Sequence, residues 1–362
     1  MKLGLLCVAF LLAIAGLFLR PEPDWRFVVP PTPVAGTGEE FETVFDYTSP
    51  LGVAHAPAIS VREGGLDLMW FDGLRESHND VVIRQARIPF STGPVPDSRV
   101  LLSRQQISAA MQPRQTILTL GNTITDARTG GHFVTVVTLG GWAAASVAHW
   151  DGARAQARKL NLSPFIARSH LVKSPVVAMR NGYRMLPAYF EVSEGYGVAA
   201  LIDGQNRVRA QSDMRGDFAG IQPMIVPLSE QSAVALLLKF DLNQCNMLVS
   251  RSEDGVFSWS PAKPTNIANP NAPVAAVLLE GGRILMAYSV AEDAAKTLRF
   301  AVSEDAGETW APGRDIDVSE TGSLRYPMMA VLPDGRIALT YSAATKTRVL
   351  VHILSLDWAL AQ

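Results

Sequence analysis

In "RIALTYS", Arg336 to Ser342, the residues Ile337, Leu339 and Tyr341 share one face, and Ala338, Thr340 and Ser342 the other. That period of two is the mark of a strand. A short apolar run, "PMMAV" from Pro327, precedes it, and Asp334-Gly335 lies between the two. The same order of features stands upstream in "NAPVAAVLLEGGRILMAYS", Asn271 to Ser289. Each stretch reads as strand, tight turn, strand, because such pairs supply the positive backbone torsions of a two-residue hairpin turn. Gly64-Gly65 and Asn181-Gly182 repeat the turn signal.

A residue plus proline followed by an apolar run occurs six times, at Pro57, Pro113, Pro175, Pro223, Pro273 and Pro327. The interval of about fifty to sixty residues fits a four-stranded propeller blade with its loops. The pattern therefore predicts an all-β, six-bladed β-propeller, with each proline opening an innermost strand, where no ladder donor is needed. Pro187, inside "YRMLPAYFE", predicts a bulge. The last unit has room for only three strands, so "FETVFDY", Phe41 to Tyr47, is expected to supply the fourth and close the ring, removing its exposed edges. Helical stretches are scarce, and "QARKLNL" is too short to change the class.

The N-terminus breaks the pattern. Lys2 is followed by "LGLLCVAFLLAIAGLFL" and Arg20. This apolar run reads as an uncleaved membrane anchor or as a signal segment cut near Ala13 to Ala15. Prolines in "RPEPDWRFVVPPTPVAGTGEE" make residues 21–40 an extended linker. The body, residues 41–362, is then expected outside the cytoplasm, touching a membrane through its N-terminal segment only.

A net charge of −2 offers no basic footprint for nucleic acid. Two cysteines, Cys7 and Cys245, make no disulfide framework. Without a spaced His/Cys cluster or a phosphate-binding glycine motif, no metal and no cofactor are expected.

A second repeat appears in "SEDAGETW", Ser303 to Trp310, and, with its glycine shifted, in "SEDGVFSW", Ser252 to Trp259. It reads as a turn in which Asp305 bonds backbone amides, Gly307 takes the left-handed conformation and Trp310 packs beneath. This is an Asp-box. With "HAPAI", "LMWFDGLRESHNDVVI", "KSPVV", "IQPMIV" and "RYPMMAVLPDGRIALTYS", it makes the chain resemble the sialidase superfamily, in particular bacterial predicted neuraminidases with BNR-like repeats, from about Val53 onward. The resemblance implies structural Asp-boxes away from the site, so Asp254 and Asp305 receive no catalytic role.

If the prolines open the innermost strands, the residues before them ring one mouth of the channel: His55, Gln112, Lys173 with Ser174, Gln222, Asn271, and Arg325 with Tyr326. Cationic and amide side chains in a ring suit a sugar bearing a carboxylate, so an acidic oligosaccharide or polysaccharide is the expected partner. The loop "FDGLRESHND" adds Asp72, Arg75, Glu76, His78 and Asp80. His132, His149 and His352 read as structural, and His170 as a weak candidate near Lys173.

Sialidases use three arginines on the carboxylate, a Tyr nucleophile assisted by a Glu, and an Asp acid. The resemblance implies Tyr326 as nucleophile, Asp72 or Asp80 as acid, Arg75 and Arg325 as carboxylate ligands, and a loop facing the site with an Arg-Glu pair at Arg75 and Glu76, the latter among the catalytic candidates. His55-Ala56-Pro57 stands where the family has Arg-Ile-Pro, so one arginine is missing. Two other readings remain. One is a polysaccharide lyase removing a proton beside a uronate carboxylate with His55 as base. The other is a non-catalytic glycan-binding or envelope assembly protein.

Overall fold

The computed structural model describes residues 25–90, 97–162, 169–239, 246–255 and 257–361. The apolar leader lies outside them. Among the described residues no helix is long and apolar enough to cross a membrane.

The chain is a succession of antiparallel meanders. The first comprises β2 (Val53–Arg62), β3 (Gly65–Gly73), β4 (Val82–Pro89) and β5 (Arg99–Ser103), entered after β1 (Phe41–Thr48). After α1 (Arg104–Ala110) come β6 (Thr119–Thr125), β7 (His132–Val137), β8 (Ser146–Asp151) and β9 (Gln156–Lys159). The third unit has a split first strand, β10 (His170–Val172) and β11 (Val177–Ala178), then β12 (Arg184–Phe190), β13 (Tyr196–Ile202) and β14 (Val208–Asp213). The fourth is β15 (Gly220–Pro227), β16 (Ala233–Lys239), β17 (Asn246–Ser252) and β18 (Lys263–Ala268). The fifth is β19 (Ala275–Leu278), β20 (Ile284–Ser289), β21 (Thr297–Ser303) and β22 (Ala311–Val318). The sixth is β23 (Arg325–Val331), β24 (Ile337–Ala343) and β25 (Arg348–Leu354), before α2 (Leu356–Leu360).

β1 pairs antiparallel with β25, from Phe41 opposite Leu354 to Thr48 opposite Arg348, and completes the sixth sheet. The third and fourth sheets are joined by one parallel pair, Tyr196 with Gly220. First strands touch from unit to unit: β2 on β6, β6 on β10, β15 on β19, β19 on β23, and β23 back on β2. The alternation of apolar residues explains the packing. Inward residues of neighbouring sheets meet in shared clusters, as where Trp70, Phe133, Val147 and Leu186 lie together. Phe45 and Tyr47 of β1 pack at a tilt against Trp70, with ring centroids 5.5 and 4.9 Å away.

Positive φ appears where the turn signals require it: Asn181 at 54° and Gly182 at 78°, Gly281 at 75° and Gly282 at 80°. Three expectations need correction. Gln112 does not precede an innermost strand. It is exposed after α1, and its amide bonds the carbonyl of Ala157 in the outer strand β9. The capping box of Ser103 and Gln106 that starts α1 was a readable signal. "QARK" is itself the strand β9. Pro187 makes no bulge either. β12 pairs with β13 in unbroken register, and the partner strand is broken instead, between β10 and β11. The missing N–H of Pro187 lies opposite that break, at Lys173-Ser174-Pro175.

The stretch 25–40 is extended, as its prolines dictate, and packed on the body. Phe27 is fully buried and bridges Met179. The amide of Val34 bonds the Gly335 carbonyl, and those of Gly36 and Gly38 bond the Asp357 carboxylate at 2.9 and 2.8 Å. The strap thus crosses the end of the molecule that carries the hairpin turns.

Both Asp-boxes sit at that end, in the turns after β17 and β21. Asp305 accepts from Ser303 Oγ (2.8 Å), the amides of Glu308 (3.1 Å) and Thr309 (2.8 Å), and Thr309 Oγ1 (2.5 Å). Gly307 has φ 92°, and Trp310 is buried with Nε1 on the Gly307 carbonyl. Burial pushes the Asp305 carboxyl up, but these hydrogen bonds outweigh it and hold the pKa at about 2.

Candidate active site

At the opposite end the innermost strands share one device. Register shifts interrupt β2 between His55 and Ala58, β6 between Leu120 and Thr123, β15 between Ile221 and Met224, and β23 between Arg325 and Met328. Ala56, Gln222 and Tyr326, each followed by proline, sit in the left-handed region at φ 51°, 54° and 59°. A non-glycine residue is strained there. The bulge re-aims one side chain out of the ladder. The proline is scaffold, and the residue before it is displayed.

These bulges border a cavity of about 180 Å³. Its walls include Phe71, Trp142, Leu171 and Tyr189, with Asn122, Gln222 and Tyr326 as polar groups and Glu76 and Glu191 as charged ones. Gln222 Nε2 donates to the hydroxyls of Tyr326 and Tyr189, both at 3.3 Å. Burial, together with the charges of Glu76 and Glu191, pushes Tyr326 up to about 12 against the opposing Gln222 bond and Arg325 charge. Burial also raises Tyr189 well above its ordinary value. Glu191 is raised first by burial and then by Glu76, which favours its protonated form. Glu76 is bound to Lys346 Nζ at 2.5 Å.

Beneath the cavity lies a layer that touches Tyr326 without lining the space. His55 is fully buried, edge-on to the Tyr326 ring with centroids 4.2 Å apart. Its Nδ1 meets Ser342 Oγ at 2.8 Å, and that oxygen accepts the Ala56 amide at 3.1 Å. Nε2 is buried without a partner, as are Ser174 Oγ and Gln222 Oε1. Burial, reinforced by the charges of Lys346, Lys173 and Arg325, holds His55 neutral, its pKa well below the usual imidazole range. Lys173 is buried, donates to the Pro327 carbonyl at 3.0 Å, and lies 5.7 Å from the Tyr326 ring centre.

The remaining candidates lie elsewhere. Arg325 spends its guanidinium on the carbonyls of Pro270 (3.0 Å) and Asn271 (3.1 Å). Asn271 is exposed at φ 55° and, like Arg325 and exposed Arg75, is not among the lining residues. Asp72 faces away from the cavity. It is buried, accepts from Tyr47 at 3.1 Å and lies 3.8 Å from Arg84, which corrects its assignment as the acid. In a strand one residue's offset reverses the face, and Phe71, opposite His55, takes the cavity side. Asp80 closes its own loop on His78 (2.6 Å) and the Leu74 amide (3.0 Å). His170 packs against Phe190. His352 bonds Tyr341 and Thr43 inside the sixth sheet.

Sequence reasoning missed Asn122, Trp142, Tyr189, Glu191 and Lys346. In the second unit the bulge is Gly121-Asn122, with no proline to announce it.

The BNR repeat-like domain profile matches residues 64–339. The chain belongs to the BNR repeat-like family. No curated protein matches it in sequence. Its fold is similar to that of a Dyadobacter fermentans protein of unknown function (TM-score 0.63, 12% identity, 87% of this chain and 99% of that one). It is similar too to the NanB sialidase of Streptococcus pneumoniae in complex with 2-[(3-chlorobenzyl)ammonio]ethanesulfonate (TM-score 0.63, 9% identity, 89% and 71%). A third similar structure is a Trypanosoma rangeli sialidase in complex with 2,3-difluorosialic acid, described as a covalent intermediate (TM-score 0.61, 10% identity, 84% and 55%). This BNR-family chain thus has an all-β, sialidase-like fold.

Proposed function

We propose that this BNR-family chain is a glycoside hydrolase of the sialidase type, built as a six-bladed propeller and acting on a terminal, acidic sugar of glycans outside the cytoplasm. The observation that carries the reading is Tyr326: a phenol displayed on a strained bulge, bonded by Gln222, in a cavity that Glu76 and Glu191 flank. The cavity is smaller than the roughly 300–1,000 Å³ of drug-sized pockets, which suits one sugar ring, with Trp142 and Phe71 as apolar walls. In this reading Tyr326 attacks the anomeric carbon and its proton passes to one carboxylate. The glycosidic C–O bond breaks, and the leaving oxygen takes a proton from a second acid. Water then cleaves the tyrosyl–sugar bond. Glu191, whose pKa is raised, is suited to hold the proton that is donated.

The preference for an acidic sugar is drawn from the likeness to sialidase structures; the charged lining groups are Glu76 and Glu191, and the cations Lys173, Lys346 and Arg325 act on His55 from behind the cavity. The test is product analysis on a panel of sialosides, neutral glycosides and uronate polysaccharides, with Tyr326→Phe as control. Release of free sugar by the parent chain, lost in the variant, is expected. Unsaturated uronate products would replace hydrolysis by elimination, and binding without products would make the chain a glycan-binding protein.

A further inference from the structure

A buried ammonium needs a counter-charge, since removing it from water costs several kcal/mol. Lys173 is 3% exposed, yet among the described residues no carboxylate lies within ion-pair distance of it. Its bonded partner is the carbonyl of Pro327, the residue that follows Tyr326. The bond therefore grips the Pro327–Met328 peptide, the one just beyond the bulge in which Tyr326 sits at φ 59°. The same ammonium lies 5.7 Å from the centre of the Tyr326 ring, the range of a cation–π contact. On the other side His55 meets the ring edge-on at 4.2 Å. The break between β10 and β11, opposite Pro187, is what brings Lys173 here.

We infer that Lys173 is a positioning residue for Tyr326: its buried ammonium fixes the bulge through the Pro327 carbonyl and is the charge set against the tyrosine ring. The inference rests on the reading of Tyr326 as the reacting group. The charged form draws electron density in the ring and favours a developing phenolate. The neutral amine keeps a weaker bond to the carbonyl and loses the attraction to the ring. Burial lowers Lys173 to about 7, so the switch between the two forms falls in the physiological range. The other charged or titratable groups that act on Tyr326 are placed differently. His55 stays neutral, its pKa well below 6.5, and Tyr189 is raised well above 10. Arg325 stays charged. Glu76 and Glu191 act from across the cavity, with Lys346 bound to Glu76.

The experiment reads Tyr326 directly. The full chain is labelled with 3-fluorotyrosine, and the Tyr326 fluorine resonance is assigned by its loss in Tyr326→Phe. It is then followed from pH 5.5 to 9.5. The expected result is a shift with a midpoint near 7, although the phenol itself does not ionise there. The shift should be absent in Lys173→Met and in Lys173→Arg, the latter keeping the charged-state position throughout. A resonance that does not move in the parent chain overturns the inference. So does a titration that survives in both variants, which would assign it to a group other than Lys173. Two substitutions guard against a variant that fails to fold. Turnover of a fluorogenic sialoside is measured in parallel. If the resonance titrates as described and nothing is hydrolysed, the glycosidase reading fails and the role of Lys173 stands.

Discussion

Replacing Lys173 by methionine removes a charge from the molecular interior while keeping most of the volume. In the unfolded chain the amine titrates at 10.5, and in the native state burial lowers it to about 7. The difference of about 3.5 pH units, at 1.36 kcal/mol each, makes the charged form about 5 kcal/mol less favourable in the native protein. The sign follows from proton binding. Between pH 10.5 and 7 the unfolded chain holds a proton that the native one lacks, so parent stability falls as pH drops through this window and levels off below it. Lys173→Met has no such term. It should be more stable than the parent at pH 6 by up to about 5 kcal/mol, less about 1 kcal/mol for the lost bond to Pro327. The advantage should shrink by several kcal/mol on reaching pH 9.5. Urea unfolding of both proteins at pH 6, 7.5 and 9.5 measures it. A difference independent of pH, or a variant less stable at every pH, would refute the reasoning.

Phe27→Ala should cost about 3–5 kcal/mol in urea unfolding, because Phe27 is fully buried against the body; a cost under 1 kcal/mol would return residues 25–40 to the status of a free linker. Gly255→Ala should loosen the same strap, since a Cβ there would lie 2.3 Å from the Trp25 carbonyl at φ 85°; a protease that cuts near residue 25 faster in the variant than in the parent reports it. Asp305→Ala should lower the thermal midpoint without changing glycan affinity, by about 1–2 kcal/mol for the lost turn bonds. Because the Asp305 pKa is depressed, its contribution is present above pH 3.8 and is lost as pH falls toward 2; a variant that binds glycan more weakly with an unchanged midpoint contradicts this. A reporter active only outside the cytoplasm, fused after residue 40, should be active; silence would remove the proposal of export.

The sequence revealed the scaffold more readily than the site because the scaffold repeats. Period-two alternation, paired turn residues and the Asp-box recur with fixed spacing, and the pairing of β1 with β25 followed from counting strands. A cavity is lined by residues that differ from unit to unit, so repetition points only to positions. It found Gln222 and Tyr326 because a proline follows each bulge. In the second unit, where Gly121-Asn122 makes the bulge without proline, it pointed instead to Gln112, on the outer edge. Tyr189 and Glu191 come from a second strand and its loop, where no signature marks the inward face. Asp72 was legible in principle. The pairing of His55 with Phe71 puts Phe71 on the cavity side and turns Asp72 toward Tyr47. Lys173 stood in the expected ring, but only packing revealed that it lies under Tyr326 rather than beside the ligand.

The central claim, that Tyr326 is the group that attacks the sugar, is tested most directly by trapping. The chain is incubated with 2,3-difluorosialic acid, digested and mapped by mass spectrometry. The account predicts one added fluorosialyl group on the peptide containing Tyr326, absent in Tyr326→Phe. An adduct on any other residue, or free enzyme recovered unmodified from a preparation that hydrolyses sialosides, would contradict it.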